Sequence, residues 1–180
     1  PFLCRFQPDG ALDLGFAFNR FPFRGPPVVA ELGDRQFLAG ADATVIRPGE
    51  PPSTLFLLDS RGRIRALPEF TGPVKALARQ SDGHVIVAGY FETNGRPAPL
   101  VLRRLRPDGT VDPAFHATAT PARSGVAYPV KLALHLDGRI VVGMSHTAEV
   151  RRFLRNGEPD TKFEAGPQIG LRAQRRKTGW

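Results

Sequence analysis

Short apolar runs of four to eight residues, rich in Val, Ile and Leu, recur along the chain, each bounded by Gly, Pro or Asp. Their length and β-branched content read as strands, and no run of useful length carries a helical period. The clearest stretch, Val74 to Phe115, reads VKALARQSDGHVIVAGYFETNGRPAPLVLRRLRPDGTVDPAF. Asp82-Gly83 and Asp108-Gly109 each lie between two apolar runs. Asp-Gly in that setting is a strong hairpin signal, because Gly enters the left-handed region without strain. The stretch therefore predicts four strands: a, Val74–Gln80; b, His84–Phe91; c, Leu100–Arg106; d, Thr110–Phe115. Val85, Ile86 and Val87, with Ile140, Val141 and Val142 in a later copy, are the predicted core of the inner strands.

The same pattern recurs on both sides. Phe2 to Phe16, FLCRFQPDGALDLGF, matches strand c, the Pro-Asp-Gly turn and strand d. Pro27 to Phe70 is a more degenerate copy, in which Phe37-Leu38-Ala39-Gly40 aligns with Ile86-Val87-Ala88-Gly89 and Leu55–Leu58 is strand c. Its Pro48, Pro51 and Pro52 mark a loop, since Pro cannot join a central ladder. Pro129 to Phe163 is a further copy, with turns at Asp137-Gly138 and Asn156-Gly157. Gly166-Pro167 and Gln168–Gln174 then repeat the opening of strand a. Second-turn glycines fall at Gly10, Gly62, Gly109 and Gly157, a period of about fifty. The expected organisation is a single repeat domain over 1–180: a partial blade of strands c and d at 1–26, blades at 27–71, 72–126 and 127–165, and at 166–180 strand a of a further blade with a basic tail.

Four-stranded units at such a period are the signature of β-propeller blades, so the expected fold is all-β, a propeller-like array of antiparallel blades. The pattern ALARQSDGHVIVAG…LRRLRPDGTVDPAF resembles the delta-60 repeat of bacterial proteins. That resemblance implies a propeller-like fold within a large exported polypeptide, with an extracellular or cell-envelope location, and it implies no established enzymatic activity. The chain opens inside a repeat and not on Met, so a fragment of a longer array is expected, in preference to a closed small propeller or an arc completed by a second copy.

Composition narrows this further. Nineteen Gly and eighteen Pro are spread between apolar runs and mark turns, and the aliphatic and Phe content is too high for a disordered chain. No stretch of eighteen apolar residues is present, so no membrane-spanning helix is expected. Cys4 is the only cysteine, which excludes an internal disulfide and a cysteine-based zinc cluster. Of the net charge of +8, half comes from Arg172, Arg175, Arg176 and Lys177 near the C-terminus. These four are the candidate anion-binding residues, with Trp180 as a stacking surface.

Arg5, Arg104 and Arg152 share one repeat position, and Asp13, Asp112 and Asp160 share another, eight residues later. A three-residue loop between them is expected to set each pair diagonally on one hairpin face as a structural ion pair. The degenerate repeat has Leu57 and Arg65 at those positions. Phe16, Phe115 and Phe163 close the three Asp-x-x-Phe segments and are expected between blades. The Asp-Gly turns lack the spaced oxygens that calcium needs. His84, His116, His135 and His146 form no metal-binding pair. Gly143-Met144-Ser145-His146-Thr147 lacks the second Gly of a nucleophile elbow, and no phosphate-cradling glycine loop is present.

No catalytic residue, metal or cofactor is therefore assigned. The function expected is a non-enzymatic scaffold or interaction module, with a protein, a polysaccharide, a second copy or neighbouring blades as partner; nucleic acid is not expected. Two alternatives stand beside it: a propeller hydrolase or lyase acting on carbohydrate or a lactone, and a polyanion-binding module using the basic C-terminus.

Overall fold

The computed structural model describes residues 3–16, 27–45, 49, 51–89, 91–93, 96–97, 101–115, 117, 129–144 and 149–164. Among these residues there is no helix. The second unit is a complete antiparallel meander of β1 (Val28–Gly33), β2 (Gln36–Val45), β3 (Ser53–Leu58) and β4 (Ile64–Ala66). The third contains β5 (Val74–Arg79) and β6 (Val85–Gly89), then β7 (Glu92–Thr93) and β8 (Arg96–Pro97) as a separate ribbon, then β9 (Val101–Leu105) paired to β6. The fourth is β10 (Pro129–Leu134), β11 (Ile140–Met144) and β12 (Val150–Phe153), again a meander. The fold is an all-β, propeller-like array of small antiparallel sheets.

The predicted strand d is shorter than the pattern suggests. In the first, third and fourth units it contracts to one bridge: Phe6 with Leu12, Leu105 with Val111, and Phe153 with Pro159. The reason is local. One residue after each bridge the chain turns, and the carbonyls of Asp13, Asp112 and Asp160 accept the amides of Phe16, Phe115 and Phe163. A residue committed to that turn cannot extend a ladder, and Pro113 has no N–H to offer one. Among the described residues, only the second unit, the most degenerate in sequence, carries a four-stranded sheet.

Six hairpins share one turn. In the third unit, Gly83 N–H donates to the Gln80 carbonyl while Gln80 N–H donates to the His84 carbonyl. This is a type I turn closed by a left-handed glycine, and Gly10, Gly62, Gly83, Gly109, Gly138 and Gly157 all lie at φ between 77° and 93°. Asp9, Asp82, Asp108 and Asp137 each accept the amide two residues on, which fixes the turn from inside. A different turn joins β1 to β2, where Asp34 (φ 46°) and Arg35 (φ 60°) form a two-residue turn with no glycine at its centre.

That shorter turn moves the register. Phe37 pairs with Leu58 just as Val85 pairs with Leu105, so Phe37 corresponds to Val85, not to Ile86 as the sequence alignment has it. A one-residue slip exchanges the two faces of a strand. Gly40 thus occupies the place of Ala88, and a Cβ there would collide with Val74 and Val28.

Three apolar clusters hold the units together, each drawing on two successive units. The first joins Leu3 and Phe16 to Ala39, Phe56 and Leu58. The second joins Leu38, Leu55, Leu57 and Phe70 to Val85, Val87, Phe91 and Leu105. The third joins Ile86, Ala88, Leu102 and Phe115 to Ile140, Val142, Met144 and Phe153. Strand β6 feeds two clusters and is buried along its whole length, whereas β11 alternates. Val141 is accordingly only half-buried, in contrast to the predicted burial of its whole strand. Between the second and third units, Thr54 Oγ1 donates within reach of the Phe70 and Gly72 carbonyls (2.9 and 2.6 Å). Ser53 Oγ lies 2.8 and 2.7 Å from the Leu55 and Leu67 carbonyls. Both side chains are fully buried, and these contacts satisfy them.

Two substitutions separate the backbone constraints. Arg35→Gly removes a left-handed non-glycine residue and is expected to stabilise the chain by about 0.5–1 kcal/mol in denaturant titration. Gly40→Ala is expected to destabilise it by about 1–3 kcal/mol, because Val74 and Val28 must move.

Candidate functional site

The recurrent polar groups assemble into the same arrangement three times. Arg5 Nη2 lies 2.6 Å from Asp13 Oδ2, Arg104 Nη2 lies 2.6 Å from Asp112 Oδ2, and Arg152 Nε lies 2.8 Å from Asp160 Oδ2. With a three-residue loop the partners stand directly opposite one another, and the amides of Asp13, Asp112 and Asp160 donate to the carbonyls of Arg5, Arg104 and Arg152. The diagonal placement expected from the sequence is therefore replaced by a closer one. The other carboxylate oxygen accepts a backbone amide two residues on, from Gly15, Ala114 or Lys162. This tightens the Asp-x-x-Phe turn and swings each Phe under its own guanidinium, with 4.8, 5.0 and 4.5 Å from Arg Cζ to the ring centroids of Phe16, Phe115 and Phe163.

The stretch from residue 80 to residue 115 matches a family described as a domain of unknown function, DUF5122, β-propeller. Comparison with curated proteins gives no match. Among solved structures, the extracellular domain of a hybrid two component system from B. thetaiotaomicron is similar at 11% identity and a TM-score of 0.49. That likeness covers 76% of this chain and 17% of the other.

The segment matching the β-propeller family runs from the first turn of the third unit to its Asp-x-x-Phe turn, and it holds the most densely connected polar cluster. Arg104 uses its guanidinium on Asp112 and also donates to the carbonyl of Arg155 in the fourth unit (3.1 Å). Arg155 in turn donates to Asp82 in the third unit. His84 stands between two carboxylates, Nδ1 3.1 Å from Asp82 Oδ1 and Nε2 4.0 Å from Asp112 Oδ2. Arg139 holds the corresponding place in the fourth unit, 2.8 Å from Asp137 and 3.9 Å from Asp160. Gln80, one turn residue from Asp82, is buried without a protein hydrogen bond to its amide.

Burial alone would raise the Asp82 pKa, but hydrogen bonds from Arg155 and the His84 amide, with the His84 ring close by, outweigh it and hold the carboxyl at about 2. Asp112 is likewise lowered, burial being overcome by the Ala114 amide and Arg104. Asp13 is lowered chiefly by its bond to Arg5. For Asp160, burial is overcome by Arg152 and the Lys162 amide.

Sequence reasoning missed the contact that the basic residue after the first-turn glycine, His84 or Arg139, makes with the turn Asp. Its signal was the offset from that glycine, which both share. It also missed the clamp between Arg155 and Asp82, whose two partners lie 73 residues apart and share no repeat position. In the second unit Leu57, Leu67 and Phe70 form an apolar counterpart of the Arg–Asp–Phe set. His116, Ser145, His146 and the basic residues Arg172, Arg175, Arg176 and Lys177 lie outside the described residues. Among the described residues, no three His, Cys, Asp or Glu side chains converge as a metal site. No helix among them is long and apolar enough to cross a membrane.

Burial differs between copies of the same pair, and this predicts unequal costs. Arg104 and Asp112 are 14% and 6% exposed, against 31% and 21% for Arg5 and Asp13. A double-mutant cycle on Arg104 and Asp112 is expected to give a coupling of about 1–2 kcal/mol, larger than that of the first pair. Acid provides a second check. The lowered Asp82 pKa contributes stability that is fully present above the ordinary carboxylate range and is lost as pH falls toward about 2. Asp82→Asn is expected to lower the melting temperature near neutral pH and to flatten its fall on acidification; an unchanged acid slope would contradict the assignment.

Proposed function

We propose that this chain is a non-enzymatic β-propeller repeat scaffold or interaction module within a larger exported bacterial polypeptide, working at an extracellular or cell-envelope location. The observation that supports it is the commitment of the recurrent polar groups. Each Arg–Asp–Phe set is closed on its own hairpin, and the best-connected set, around Arg104 and Asp112, is spent on joining two units. A guanidinium whose nitrogens already bond a carboxylate and a neighbouring carbonyl offers little to a substrate anion. The repeated residues thus serve stacking, and stacking yields a rigid surface on which a protein or polysaccharide can dock. The resemblance to the delta-60 repeat supports the exported setting.

A panel of glycans, lactones and esters is expected to give no turnover above buffer. Turnover that disappears in His84→Ala or Asp112→Asn would overturn the reading and turn the polar cluster into a catalytic one. Retention of the wild-type rate in both variants would place any activity elsewhere and would equally refute a non-enzymatic role.

A further inference from the structure

Gln80 buries a polar group that the chain itself does not satisfy. The residue is 4% exposed, and its side-chain oxygen and nitrogen are both enclosed with no hydrogen-bond partner among the described residues. His84 Nδ1 is enclosed in the same way; it lies 3.1 Å from Asp82 Oδ1 but without the direction of a hydrogen bond. These three atoms belong to one place. The Gln80 backbone N–H donates to the His84 carbonyl, so the two residues stand opposite one another across the first turn and share a face. Counting by twos, Gln80 shares the face of Ala78 and Ala76 on β5, and His84 that of Ile86 and Ala88 on β6. Ala76, Ile86 and Ala88 pack toward the fourth unit. From β10, the strand of that unit that packs on β5, they meet Leu132 and Leu134, whose side chains carry no donor or acceptor. At the turn end Arg155 closes the junction, bonding Asp82 through its side chain and accepting from Arg104 through its carbonyl.

We propose that the Gln80 side chain and His84 Nδ1 form a binding site for an ordered water, enclosed at the junction of the third and fourth units. A buried amide with neither end paired costs more than an ordinary hydrogen bond contributes. A ligand that removes this cost must donate to Oε1 and accept from Nε2. Asp82 and Asp112 disfavour an anion beside them, and Arg104 and Arg155 disfavour a cation. What fits is a small neutral group with both donor and acceptor capacity. Water is such a group, and the partners offered here are as many as a buried water needs. It donates to Gln80 Oε1 and His84 Nδ1 and accepts from Gln80 Nε2. The water thereby seals a polar spot between two sheets that otherwise meet through aliphatic side chains. The site concerns how two units are joined, so it stands apart from the choice between scaffold and enzyme.

Water-selective NOE and ROE spectroscopy on the whole isotope-labelled chain tests it, with the Gln80 side-chain amide protons as the probe. Those protons, assigned through their coupling to the Gln80 backbone, are expected to show dipolar cross-peaks to water, with the NOE sign of a water that tumbles with the protein. Gln80→Met keeps the length of the side chain and removes both polar atoms, and it is expected to lose these cross-peaks while keeping its far-UV spectrum. His84→Phe keeps a ring and removes Nδ1, and it is expected to weaken them. The wild-type spectrum alone decides if either variant fails to fold. Cross-peaks of chemical exchange only, as for an amide open to solvent, overturn the proposal. So does a scalar coupling across a hydrogen bond from the Gln80 amide to a protein acceptor, since the side chain would then be satisfied directly. Unchanged cross-peaks in a folded His84→Phe chain overturn the site as drawn.

Discussion

Sheet faces that cannot be covered within their own unit govern this structure. Leu38 and Leu55 point one way from the second unit while Ala39 and Phe56 point the other, and Val85 and Ile86 divide the third unit in the same manner. A meander of three or four strands has no second layer of its own, so apolar area on both faces is removed from water only by the units before and after it. The polar features follow from this. Ser53 and Thr54, fully buried, need the carbonyls of Leu55, Leu67, Phe70 and Gly72 because water does not reach them. Arg104, at the edge of such a junction, caps a carbonyl of the adjoining unit.

The Arg–Asp–Phe set solves a geometric problem at the end of each short hairpin. A chain leaving strand c must place a large ring against the next sheet within a few residues. An Asp that accepts from the arginine on one oxygen and from the backbone on the other bends the chain at the required point. The ring then lies beneath the guanidinium, which shields it at the rim. The second unit reaches the same end differently. Two more residues continue its fourth strand, Leu67 takes over the turn, and Phe70 meets Phe91 edge to face at 5.2 Å.

Much of this was legible in the sequence because the signals are short-range. Asp-Gly turns and β-branched runs located strands a, b and c of the third unit to within two residues, and the fixed offset of eight residues brought out the three Arg and Asp pairs. What escaped notice depends on distance or on counting. The β1–β2 turn contains Asp34 and Arg35 where a glycine would have been the cue, so the alignment of the second unit slipped by one and its faces were exchanged. The brevity of strand d followed from the Asp-x-x-Phe turn, whose backbone bond no composition rule reveals. The link from Arg155 to Asp82 depends on how two units stack, which a repeat pattern does not encode.

The contrast between β6, buried along its length, and β11, buried at alternate positions, also has a consequence for dynamics. In a linear stack each unit's opening free energy is its own plus that of the interfaces it must break. Opening β6 disrupts two apolar clusters, whereas opening β11 disrupts one. Amide protons of β6 are therefore released to solvent only through near-global unfolding, while those of β11 escape through a smaller, separate opening. Among the described strands, β6 therefore opens later than β11.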